Sequence, residues 1–197
     1  MWKRIVLTSM LVHAMAVCVF CSATTVYIAR TATGSADGSS CTNGKAAEFF
    51  NTADNWGPAA TQIGAGTTVH LCGEFKGDPG DTGLTFHGSG KAGNPITLLF
   101  GSGVVLTAPY WIYGVNLAGN SYIIVDGGID GTIENTANGT GLAYSASSFG
   151  ITGNRIGLVS GHDIEIKNLT VRNIYVRQDL NPHNDRRAFA RQPLFCH

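Results

Sequence analysis

Charge is scarce in this chain. Lys, Arg, Asp and Glu make up 13% of its 197 residues, about half the roughly 25% usual in soluble proteins. The signs cancel to a formal net charge of zero, and no basic stripe runs along any segment. Both facts speak against a nucleic-acid partner, whose binders carry such a stripe. Long apolar runs are absent after Phe20, so no membrane span is expected in the mature chain. Helical periodicity is nearly absent as well. No Cys-x-x-Cys occurs beyond residue 23, and the remaining cysteine spacings match no metal motif. Glycine, by contrast, is plentiful, at 26 residues, about twice the average share of roughly 7%. Few charges with much Gly, Thr, Ser and Asn suit an extracellular, turn-rich β protein.

The N-terminus has the layout of a secretory leader. "MWKR" is a short basic start, "IVLTSMLVHAMAVCVF" is an apolar run, and "CSA" follows. Cleavage is expected after Ala23, leaving residues 1–23 as signal peptide. The apolar run is 16 residues long, shorter than the roughly 20 a bilayer span needs. Export and a secreted or cell-surface location follow, with no membrane attachment after cleavage. Cys18 and Cys21 leave with the leader, and Cys41, Cys72 and Cys196 remain. An oxidising compartment permits a disulfide. Cys41 with Cys72 is the natural pair, tying a loop to the first clear strand, with two free thiols as the alternative.

The chain then repeats itself. "GTTVHLCGEF" (66–75), "GNPITLLFGS" (93–102), "GNSYIIVDGG" (119–128) and "SGHDIEIKNL" (160–169) each open on turn formers and then alternate apolar with polar. Matched on their inward residues, Val69 and Leu71 correspond to Ile96 and Leu98, then to Ile123 and Val125, then to Ile164 and Ile166. The offsets are 27, 27 and 41 residues. Short strands are also expected at "GLTF" (83–86), "GVVLT" (103–107) and "GTIEN" (131–135). Strands at such a period with glycine-rich corners imply a coil. Equivalent strands of successive turns then pair in parallel, about 4.8 Å apart. Inward Val, Ile and Leu stack into columns that no turn could bury alone. The partner of "IEIKN" is accordingly the strand around Ile123. Asn168 and Asn173 end strands, where asparagine tolerates left-handed corners and in a stack can bond its own kind. Asn168 and Asn138 also open nominal glycosylation sequons.

Residues 24–65 read as a cap on the coil of 66–185. "TTVYIAR" is an opening strand, and "KAAEFFNTADNW" suits a short amphipathic helix with Ala47, Phe50 and Ala53 on one face. A stack of repeats needs such a cap to cover core and strand edges.

Together, "VYIARTATGSADGSSC", a Trp-containing helix, "IGAGTTVHLCGEF", "YIIVDGG" and "IEIKNLTVRNIYV" resemble the N-terminal part of secreted right-handed parallel β-helix proteins of the pectate-lyase-like superfamily. The resemblance spans roughly residues 24–185. It implies an all-β solenoid of about four turns, contact with polysaccharide or another glycan, and commonly lyase or hydrolase action on acidic polysaccharides. It also takes in non-catalytic surface proteins. Such proteins usually stack more turns than these. "RRAFARQPLFCH" (186–197) continues no turn and makes no cap, so a truncated or frame-shifted end is expected, and an open coil should aggregate.

Elimination from a uronate polymer needs a base, and a cation to neutralise the carboxylate, often Ca²⁺ held by several oxygens. A Lys or Arg base requires a depressed pKa. Lys167, Arg172 and Arg177 alternate outward with Glu165 on the last strands and are the candidates. A solvated strand face looks the same. Asp126 and Asp130 flank the turn "DGGID" and could share a cation, or could simply be good turn residues. Asp163, Asp179 and Asp185 are further acids. Hydrolysis would use two carboxyls about 5–10 Å apart. His162, His183 and His197 form no metal pattern. Tyr110, Trp111 and Tyr113 in "APYWIYG" could face sugar rings or fill the core. "NTANGTGLAYSASSFG" (about 135–150) is a long loop that could wall a sugar groove. Two functions follow as expectations: a lyase-like enzyme on uronate polysaccharides, or a glycan-binding surface module without turnover.

Overall fold

The computed structural model describes residues 24–137, 148–153 and 161–174. The leader, Asn138, Arg177, Asp179, His183, Asp185, Cys196, His197 and most of the 135–150 loop lie outside the described residues.

The described residues are all-β apart from one short α-helix and two 3₁₀ turns, and their strands pair in parallel. The first sheet runs, in spatial order, β12 (Ile164–Lys167), β9 (Ile123–Asp126), β6 (Ile96–Phe100), β3 (Thr68–Cys72), β1 (Thr25–Ala29) and β2 (Lys45–Ala46). The second runs β13 (Thr170–Arg172), β10 (Thr132–Asn135), β7 (Val105–Ala108) and β4 (Phe75–Lys76). The third runs β11 (Phe149–Thr152), β8 (Trp111–Asn116) and β5 (Asp81–Thr85). From β3 onward the chain visits first, second and third sheet in a fixed rotation. That path fits a parallel β-solenoid. β-Branched and leucine side chains alternating with polar ones suit such half-buried strands.

The inward columns form the core. Val26, Val69, Leu98, Val125 and Ile166 align across the first sheet, and Ile28, Leu71 and Phe100 form a second column beside them. Phe75, Leu106, Ile133 and Val171 line up in the second sheet. The partner of β12 is β9, with Ile164 opposite Ile123 and Ile166 opposite Val125, as the 41-residue offset requires. The 27-residue offset also holds between β6 and β9. It fails between β3 and β6, where Val69 faces Leu98 and Leu71 faces Phe100, an offset of 29. A two-residue slip leaves every side chain on its own face, so alternation cannot fix it. The structure chooses the register that sets Phe100 on Leu71, with Thr97 N–H bonding Thr67 O at 2.9 Å.

Within the expected cap, β1 is a full rung of the first sheet, paired with β3 from Thr25 through Ala29. The helix α1 covers only Ala47–Asn51. Ala47 and Phe50 are buried, but Ala53 lies exposed in a 3₁₀ turn. Thr52 is extended and breaks the helix, and the chain turns so that Trp56 can enter the core. Its ring packs edge-on against Phe50, centroids 4.8 Å apart, and its Nε1 donates to Phe50 O at 2.6 Å. Cys41 and Cys72 form a disulfide with Cα atoms 5.5 Å apart.

Asn168 and Asn173 take left-handed conformations, φ +53° and +58°. Among the described residues Asn168 bonds no other asparagine. Its Nδ2 donates to Asp126 Oδ1, one rung below, at 3.0 Å.

Candidate functional site

The outward positions of the three sheets are where a ligand could be met, because the inward ones are packed. On the first sheet, register aligns Tyr27, His70, Leu99, Asp126 and Lys167 in one outward ladder. Tyr27 and His70 stack at 4.8 Å, and burial pushes the His70 pKa down. Lys167 Nζ lies 3.4 Å from Glu165 Oε1 and 4.0 Å from Asp126 Oδ2. On the second sheet the outward ladder is Lys76, Thr107, Glu134 and Arg172, with Arg172 Nε donating to Glu134 Oε2. Both cations are therefore paired with carboxylates. Catalytic lysines are activated by dry or cation-rich surroundings, and Lys167 has neither. Arg177 lies outside the described residues.

Asp126 and Asp130 act as clips between rungs. Asp126 Oδ1 accepts from Gly128 N–H at 2.9 Å as well as from Asn168. The Asn168 bond, then the Gly128 bond, hold its carboxyl below the usual range. Asp130 Oδ1 instead accepts from Gly103 N–H at 2.8 Å, in the turn below. Ca²⁺ wants six to eight oxygens. The two carboxylates are engaged in opposite directions, and no metal-holding group of three His, Cys, Asp or Glu occurs among the described residues. Both carboxylates are taken up by hydrogen bonds within and between turns.

The three aromatics of "APYWIYG" part ways. Trp111 is buried, not a sugar platform. Its ring occupies the space beside Gly77, where a Cβ would come within 2.6 Å of it, and its backbone N–H bonds the buried Asn135 Oδ1 at 3.0 Å. Tyr110 is half-buried, its hydroxyl over Gly80. Tyr113 faces outward and stacks on Phe149, with centroids 5.6 Å apart and planes 24° apart. Phe149 is 42% exposed and the neighbouring Ile112 is 40% exposed. Thr82 completes the ladder below Tyr113. The ladder of β5, β8 and β11 thus carries the stacked Tyr113 and Phe149 above Thr82, with Phe149 open to solvent.

A glycine column builds this face. Gly83, Gly114 and Gly150 occupy equivalent rungs. A Cβ on Gly83 would come within 2.4 Å of Gly114 O, and one on Gly150 within 2.3 Å of Val171 Cγ1. The backbone can approach that closely only without a side chain. The sequence trace is the triplet "TGLT", "YGVN", "FGIT", whose first residues are Thr82, Tyr113 and Phe149. The strand alignment drawn from 27-residue spacing passes over it, and Phe149 with it.

At the cap end, a groove of about 700 Å³ is lined by Trp56, Gln62, His87, Ser89, Lys91 and Asn94 among others. Gln62 there is bonded to Asp54 O and Ala59 N–H, and no charged set converges on it. Comparison with family models, with curated proteins and with solved structures found no match for this chain.

Proposed function

We propose that this chain is an exported glycan-binding module, folded as a right-handed parallel β-helix of the pectate-lyase-like kind, that holds a polysaccharide along the outer face of β5, β8 and β11. The observation that carries it is the Tyr113–Phe149 stack, half-buried at Tyr113 and open to solvent at Phe149, beside exposed Ile112. Apolar surface left open in a contiguous strip marks an interaction site more often than scattered residues do. Rungs repeat about every 4.8 Å, so an extended polymer meets the same chemistry at successive rungs. Export is supported by the leader layout and by the Cys41–Cys72 disulfide, a bond of oxidising compartments.

A second function, lyase action on uronate polysaccharides, is favoured by Lys167 and Arg172, which stand on neighbouring outward ladders either side of the Asn168 corner. It ranks lower because both cations are paired.

Affinity electrophoresis of the exported protein through gels cast with neutral and uronate polysaccharides tests both. Retardation by at least one polymer is expected, weakened tenfold or more by Phe149→Ala. Migration unaffected by every polymer removes the binding function. Release of unsaturated sugar ends, abolished by Arg172→Ala, would install the lyase in its place.

A further inference from the structure

Among the described residues, β12 ends the first sheet, with β9 on one side only. Its backbone shows which groups β9 uses. Ile123 N–H donates to Asp163 O at 3.1 Å and Gly127 N–H to Lys167 O at 2.9 Å. In a strand, groups aimed at one neighbour come from alternate residues. The N–H and C=O of Ile164 and Ile166 therefore point away from β9, to the side where no strand lies among the described residues. Ile166 also tops an inward column, yet it is 37% exposed while Val125 beneath it is fully buried. Val171 is 45% exposed on top of a fully buried Ile133. Such an edge, with backbone groups that no described strand meets above apolar columns, is a template for pairing with another chain.

The charges on the edge say which chain. Antiparallel self-pairing of β12 can centre on Glu165 or on Ile166 without moving any side chain off its face. Centred on Glu165, it sets two glutamates directly opposite, which destabilises a pair of strands. Centred on Ile166, it sets Ile166 against the partner's Ile166 and Glu165 against the partner's Lys167, twice by symmetry. It also places these groups of Ile166 in a closely spaced hydrogen-bonded pair. Glu165 and Lys167 are already 3.4 Å apart within one chain, so the contact closes a ring of four alternating charges. A two-fold interface requires this kind of self-complementary patch.

We propose that this chain forms a two-fold dimer through antiparallel pairing of β12 in the register centred on Ile166. Sugar binding does not enter the test. Sedimentation equilibrium of the full chain at low salt is expected to give twice the monomer mass, with dissociation promoted by salt. Glu165→Lys gathers four cations at the contact and is expected to raise the dimer Kd at least tenfold. The exchange E165K/K167E restores alternating charge and is expected to recover the dimer. Circular dichroism confirms that each variant is folded. A wild-type monomer throughout the range of about 1–100 µM overturns the proposal. So does a dimer indifferent to Glu165→Lys, or a folded double exchange that stays monomeric.

Discussion

A methyl group at Gly114 has nowhere to go. It would lie 2.5 Å from Ile133 Cγ2 and 2.7 Å from Gly150 O, and both belong to packed rungs. Overpacking of this kind costs about 1–3 kcal/mol, so Gly114→Ala should lower the urea midpoint accordingly, whereas a substitution at Gly73, with open space around it, is strained only by its φ of +73°. Ionisable residues set a second expectation. His70 has its pKa lowered from 6.5 by burial, so below about pH 6.5 the unfolded chain binds the extra proton and stability falls. Asp126 has a lowered pKa because Asn168 and then Gly128 bond its carboxylate. Its contribution is present above about pH 3.9 and is lost as pH drops through the depressed folded value. Hydrogen bonds from Ser39 and Ser35 hold Asp37 at about 2, and it follows the same sign. Acid unfolding should therefore proceed in two stages. His70→Phe, which keeps a ring over Tyr27, should remove the upper stage. Asn168→Gly, which keeps the left-handed corner, should shrink the lower one. Denaturant titrations between pH 2 and 8 resolve both; a single stage unchanged by His70→Phe would contradict the account.

At the scale of elements, the edge of the third sheet shows how a coil can begin. β5 has no strand below it among the described residues. Asn51, the last residue of α1, takes that place. Its Nδ2 donates to Gly83 O and its Oδ1 accepts from Thr85 N–H, both at 2.9 Å. One side-chain amide thus mimics the donor and acceptor of a neighbouring strand. Asn51→Ala leaves two half-buried backbone groups unpaired and should cost about 1–3 kcal/mol, while Asn51→Asp, which keeps only the acceptor, should fall between. Urea unfolding measures both. Nothing in "KAAEFFN" announces this role, because an asparagine after an apolar pair reads only as a helix end. Alternation did announce the inward faces of Val69, Leu71, Ile123 and Val125, and the β9–β12 pairing, because each strand keeps a period of two. It could not announce the β3–β6 register, since a two-residue slip preserves that period. Nor could it sort Trp111 from Tyr113, which have equal claims to core and surface until the position of Gly114 is known. Phe149 follows a long stretch of sequence without apolar alternation, and only the short "FGIT" echo of "YGVN" ties it to a rung.

For the whole molecule, the stack is asymmetric along its axis. The cap end is closed by Phe50, Trp56 and Phe86, mutually packed at 4.8–5.4 Å, and by the disulfide between Cys41 and Cys72. The last rung among the described residues carries Ile166 and Val171, partly exposed. In a repeat stack each rung is stabilised chiefly by its neighbours, so opening should begin at the rung that has a described neighbour on one side only. Amide hydrogen exchange should then be slowest in β3 and β6 and fastest in β12 and β13, the protection falling from rung to rung. Reduction of the disulfide acts at the opposite end. It releases a 31-residue separation and should remove about 3–4 kcal/mol by the chain-entropy relation, flattening the gradient by exposing β1 and β3 to exchange. The dimer adds a specific signature on this background. Ile166 N–H is the group that pairing through β12 would engage, so its exchange should slow with rising protein concentration while that of Val171 N–H changes less. Equal, concentration-independent exchange at both amides would mean that the end rung opens alone.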